Sequence, residues 1–172
     1  MTDGTTRFLA VIDPTRGDQW ALQKAVSMAK DRDNAEVYAL LCAWTDRECA
    51  DEETLRAAEL RRNALWLSEI LDGLENQGVT VEPLVTWGED WREAICSAAA
   101  DKEIDLVVKR ASGRQNSLAS SDRQLIRTLK SALLLVKHDP SRDLKKVVVA
   151  VDFNATDEDH VALNDAIMDL GR

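Results

Sequence analysis

Short apolar runs of strand length alternate along this chain with amphipathic stretches of helical period, and that alternation decides what the chain can become. Arg7 to Ile12 is apolar and runs into Asp13-Pro14, where proline blocks regular continuation, so a buried strand ends there in a loop. Leu22, Ala25, Val26 and Ala29 then recur at helical spacing, which predicts a helix from about Asp18 to Lys30. Glu36 to Trp44 is a second strand. The helix after it carries Ala57, Leu60, Ala64, Leu67, Leu71 and Leu74 on one face, with Gly78 marking its end. Val79 to Thr86 gives a third strand, and Trp91, Ala94, Ile95, Ala98 and Ala99 a third helical stripe. Ile104 to Val108 is a fourth strand, Leu125, Ile126 and Leu129 lie on a short helix that Ser120 or Ser121 can cap, and Ala132 to Lys137 is a fifth strand. Apolar strands separated by helices imply a doubly wound α/β domain: five parallel strands with helices on both faces.

After this unit the pattern begins again. His138 to Leu144 reads as a linker, and Lys146 to Val151 followed by Asp152 repeats the layout of Arg7 to Ile12 followed by Asp13. Ala162-Leu163 and Ala166 then match Ala21-Leu22 and Ala25. The expected organisation is therefore one complete domain over 1–139, a linker over 140–145, and the first strand and helix of a second domain over 146–172. A strand and a helix leave sheet edges and an apolar face uncovered, so this extra unit needs a host. The restart further predicts a coding sequence that runs on beyond Arg172.

Charge and composition narrow the function. Lys and Arg number 22 against 31 Asp and Glu, a net charge of -9 that repels the phosphate backbone of nucleic acids and anionic membrane surfaces. Leu133-Leu134-Leu135-Val136 is among the longest apolar runs and is far shorter than the roughly 20 residues of a bilayer span. With no basic patch ahead of a hydrophobic region at Met1–Thr6, the expectation is a cytoplasmic protein with no membrane or nucleic-acid partner. Cys42, Cys49 and Cys96 are scattered, and read as reduced thiols rather than a disulfide framework. His138 and His160 have no spaced ligand cluster near them, so no metal is expected. No serine stands in a nucleophile elbow and the carboxylates are dispersed, so no catalytic constellation emerges.

The strand FLAVID, its repeat VVVAVD, the segment DLVVKRASGR and the closing SSDRQLIRTLKSALLLVK together resemble the universal stress protein family, in particular its tandem, E-type branch. The resemblance implies a sheet of order 3-2-1-4-5, and a homodimer or a tandem pair formed along the edge of the last strand. It also implies where a nucleotide would bind. The family's ATP loop has the pattern G-x-x-G, an intervening run, then G followed by Ser or Thr; its glycines let backbone N–H groups approach phosphate oxygens. Arg110 stands at the first glycine, Gly113 at the second with Arg114 after it, Ala119 at the third, and Ser120 at the hydroxyl. One glycine of three is kept, and only residues 114–118 separate Gly113 from Ala119, fewer than the family loop has. ATP as a cofactor is therefore disfavoured, and the expected protein is a non-catalytic binding module with a degenerate phosphate loop, whose sheet edge and pocket take a partner domain and leave room for a small molecule; ATP binding, with slow hydrolysis as an option, is the alternative.

Asp13, at the carboxyl edge of the sheet, matches the family's aspartate near adenosine or else caps its own loop. Asp13, Gly113, Arg114 and Ser120 are thus the candidate binding residues. Lys109 and Arg110 either draw an anion to the end of their strand or pair with nearby acids. Trp44 and Trp87, at the ends of the second and third strands, are candidates to line an apolar pocket.

Overall fold

The computed structural model describes residues 4–47, 50–74, 78–113, 118–140 and 156–170, and divides into two compact units, 1–140 and 141–172. In the first unit, five strands, β1 (Thr6–Val11), β2 (Ala35–Ala43), β3 (Val81–Trp87), β4 (Leu106–Arg110) and β5 (Ala132–Val136), form one sheet of order β3-β2-β1-β4-β5. Every pairing is parallel; Phe8 faces Val37 on one side and Leu106 on the other. Between the strands run α1 (Trp20–Lys30), α2 (Glu52–Asp72), α3 (Trp91–Asp101) and α4 (Ser120–Thr128).

Strand side chains alternate between faces, and the core divides accordingly. Phe8, Ala10 and Ile12 of the first strand segment pack with Val37, Ala39 and Leu41, Leu106 and Val108, and the α1 stripe Ala21, Leu22, Ala25, Val26 and Ala29; Leu67 of α2 closes this layer. Leu9 joins Tyr38, Leu40 and Val107 on the opposite face, under Ile95, Ala98 and Ala99 of α3 and Leu125 of α4. Both layers being filled, the central strands are buried on both sides, which is why they read as continuous apolar runs.

Three sequence expectations are corrected. The helix after β2 ends at Asp72, with Gly73 in right-handed conformation as its C-cap, rather than running to Gly78. Gly78 instead takes a positive φ of 75°, open to glycine at no steric cost, as the chain approaches β3. Ala57 and Ala64 are exposed, and α2 packs through Leu60, Trp66, Leu67, Ile70 and Leu71, because the long side chains, not the alanines, reach the sheet. Neither Ser120 nor Ser121 caps α4: Ala119 is the N-cap, with no side-chain hydrogen bond.

In the second unit the structure describes a helix, α5 (Glu158–Leu170), whose Val161 and Met168 are 44% and 46% exposed. The strand expected at Lys146 to Val151, most of the linker and Cys49 lie outside the described residues.

Candidate functional site

In a sheet of this order the chain turns one way from β1 through α1 to β2, and crosses β1 again to reach β4. The carboxyl ends of β1 and β4 therefore diverge at a switch point, where doubly wound folds form a crevice. A cleft of about 550 Å³ lies there, lined by Val11 to Pro14 after β1 and by Lys109 to Gly113 after β4. Leu40, Trp91 and Ile95 also line it, and Arg16, Cys42, Ser121 and Lys137 complete it.

The candidate residues occupy this cleft unequally. Asp13 lines it, but its Oδ1 accepts hydrogen bonds from the Thr15 backbone N–H at 3.0 Å and the Thr15 hydroxyl at 2.6 Å. The loop around it is tied again by Gln19, which accepts from the Asp13 N–H at 3.1 Å and donates to the Asp13 carbonyl at 2.8 Å. Asp13 thus caps its own loop while facing the cleft. Gly113 lines the cleft too. Ser120 is exposed at the first position of α4, and it is the next residue, Ser121, that lines the cleft. Arg114 lies outside the described residues.

Both basic residues at the end of β4 are paired with acids. The Arg110 guanidinium donates to Asp18 Oδ2 at 2.7 Å and stacks over the Trp20 ring, 3.7 Å from its centroid. That hydrogen bond holds the Asp18 carboxyl below its ordinary range. Lys109 is more deeply committed. Its Nζ donates to Asp122 Oδ1 at 2.9 Å, to Ser112 Oγ at 2.7 Å and to the Arg110 carbonyl at 2.9 Å, and it sits 4.8 Å from the Trp91 ring centroid. Asp122, fully buried, completes the cluster: Oδ2 accepts the Ser112 backbone N–H at 2.7 Å and Oδ1 the Ser112 hydroxyl at 3.1 Å.

Sequence reasoning passed over Asp122, as one acid in a polar helix, although a signal was present. Asp122 stands three and seven residues before Leu125 and Leu129, and so belongs to the inward stripe of α4, whereas Ile126 is exposed. A carboxylate on a buried stripe needs a partner, and Lys109, inside the apolar run of β4, is the matching anomaly.

The remaining candidates sit elsewhere. Trp44 is 49% exposed, and Trp87 lines a separate groove along β3 and α3 with Glu89, Asp90, Glu93 and Asp101 among its walls. That groove is acidic, not the apolar pocket expected, and the tryptophan at the cleft is Trp91. Cys42 also lines the cleft; burial pushes its thiol up, and it hydrogen-bonds the Gly88 carbonyl at 3.2 Å. Cys42 and Cys96 are free thiols. Among the described residues no cluster of His, Cys, Asp and Glu is arranged to hold a metal ion, and no helix is long and apolar enough to cross a membrane.

Comparison with known proteins places this geometry in context. The sequence profile of the Universal stress protein family matches residues 4–137. The chain is 29% identical over 171 residues to Universal stress protein E of Escherichia coli K12, covering 94% of this chain and 54% of that one. It thus spans about half the length of the curated relatives it matches. Among solved structures, a functionally unknown protein of Pseudomonas aeruginosa superposes with a TM-score of 0.74 at 20% identity, covering 96% of this chain and 54% of that chain. The universal stress protein of Archaeoglobus fulgidus in complex with dAMP superposes with a TM-score of 0.54 at 18% identity, covering 77% of this chain and 98% of that one.

Proposed function

This chain belongs to the universal stress protein family, and from that premise we propose that it is a non-catalytic binding module of the stress response. Its cleft takes a small molecule without gripping a triphosphate. The observation that carries this reading is the engagement of the basic groups at the end of β4: Lys109 is bound to Asp122 and Arg110 to Asp18. Gly113 is the one glycine kept from the family loop, and Asp13 is engaged with Thr15. The rest of the lining is mixed, with Val11, Ile12, Leu40, Trp91 and Ile95 beside Arg16, Ser121 and Lys137, and suits a ring that carries a polar group.

Catalysis finds little support. Cys42, the thiol at the cleft, is held up in pKa by burial, the reverse of what an attacking thiolate needs. The acidic net charge favours protein or small-molecule partners over nucleic acid, and fits a cytoplasmic location. The restart of the strand pattern at Lys146, with relatives nearly twice this length, supports a tandem organisation in which a second domain, or a second copy of the chain, pairs along the sheet edge.

A second reading is nucleotide binding, with slow ATP hydrolysis as its extension; the binding part is favoured by the dAMP held by the Archaeoglobus neighbour. Titration of ¹⁵N-labelled protein with adenosine, AMP and ATP separates the two. The proposed function predicts that ATP produces no saturable shifts at Ser112, Gly113 and Ser121, and that no phosphate is released. Saturable shifts there that grow from adenosine to ATP would establish nucleotide binding, and phosphate release alongside them the hydrolysis.

A further inference from the structure

At the mouth of β4 the protein has assembled what an oxyanion site requires. An ammonium from Lys109, a backbone N–H from Ser112 and a hydroxyl from Ser112 converge on one spot at 2.7 to 3.1 Å. Charge-assisted donors of this kind hold carboxylates and phosphates alike. Here the anion is a side chain of the protein itself: the Asp122 carboxylate, fully buried, accepts on both oxygens. Lys109, Ser112 and the adjoining Gly113 and Ser121 line the cleft, so the cluster forms part of its wall.

We propose that Asp122 is a built-in anion, filling with its own carboxylate the place at the end of β4 where a bound oxyanion would otherwise sit, and thereby excluding phosphate from that end of the cleft. The inference rests on the reading of the cleft as a site without a triphosphate grip, and names the residue responsible. Its physical basis is charge. With Lys109 neutralised by Asp122, an incoming phosphate meets a neutral pair at the end of β4 rather than a free ammonium and must either displace a buried carboxylate or lie beside it, and removing one partner of a buried pair leaves the other exposed to its full desolvation cost. Asp122 is thus a specificity-determining residue by repulsion, not by contact with the ligand.

Removing the carboxylate, so that only the β-carbon remains, tests this. Asp122→Ala vacates the spot and leaves the Lys109 and Ser112 donors facing it, so inorganic phosphate should now bind the folded state and stabilise it by mass action. The measurement is the melting temperature of the 172-residue chain, of Asp122→Ala, and of the doubly neutral Lys109→Met/Asp122→Leu variant, in phosphate and in chloride of equal ionic strength. The expected result is a rise of several degrees in phosphate for Asp122→Ala alone. Should Asp122→Ala be unfolded in chloride, recovery of its cooperative melt in phosphate gives the same support. A phosphate response equal in all three proteins, or an Asp122→Ala chain that melts or stays unfolded identically in both salts, overturns the proposal. Retention of ATP by the unaltered chain would instead overturn the functional reading, and leaves this inference standing if the phosphate response of Asp122→Ala persists.

Discussion

Leu22→Asp is the sharpest probe of how α1 is seated. Leu22 is 1% exposed and packs with Phe8, Ala10, Val26 and Val108 in the layer that joins α1 to the sheet. Truncating such a side chain costs about 2–5 kcal/mol through lost transfer energy and the cavity left behind. A carboxylate placed there has no partner among these apolar neighbours, which adds at least about 1–3 kcal/mol. The sum consumes much of the roughly 5–15 kcal/mol that stabilises an ordinary domain. At roughly 4 °C per kcal/mol for a domain of this size, the melting temperature falls by about 12 °C or more, or the variant does not fold at all. The control is Gln23→Asp, one residue along on the exposed face, with a change within about 0.5 kcal/mol. Thermal and urea unfolding followed by circular dichroism read both. A Leu22→Asp chain melting cooperatively within a few degrees of the unaltered protein would show that this face of α1 is not against the sheet.

Other expectations follow from single contacts. Removing the guanidinium in Arg110→Ala should return the Asp18 carboxyl toward its ordinary pKa, read by NMR titration, and should change Trp20 emission as the stacked cation is lost. Because the folded-state pKa of Asp18 is lowered, its stabilising contribution is present at neutral pH and disappears as pH falls through that value; the variant should lose this part of the acid dependence. Cys42, raised by burial, should react with Ellman's reagent at pH 8 more slowly than a free thiol in a Cys49→Ser/Cys96→Ser background, and equal rates would contradict its placement. Light scattering should find the 172-residue chain dimeric and a chain ending at Asp139 monomeric if the C-terminal unit supplies the contact; equal behaviour of the two would exclude that role.

How much of this was legible in the sequence depends on the kind of signal each element carries. Strands buried on both faces announce themselves as apolar runs, so β1, β2, β4 and β5 are found within two residues of their ends, and the α1 stripe at Leu22, Ala25, Val26 and Ala29 follows from period alone, with Ala21 added by the structure. The second helix was harder. Of its residues only Glu59 and Leu67 are buried, so small alanines on a neighbouring face read as inward when they are not. Charge was the least legible. Lys109 and Asp122 lie 13 residues apart and meet because α4, which follows β4 in the chain, lies back against the end of that strand, a closure that local spacing does not encode. Asp13 is the intermediate case: its position at the strand end placed it at the cleft, while its bonds to Thr15 depend on a turn that only the folded loop reveals.

The central claim, a universal stress protein cleft that does not grip a triphosphate, is tested most directly by equilibrium dialysis of the 172-residue chain against labelled ATP, alongside Gly113→Val. The account predicts no saturable uptake by either protein; micromolar uptake by the unaltered chain that Gly113→Val abolishes would contradict it.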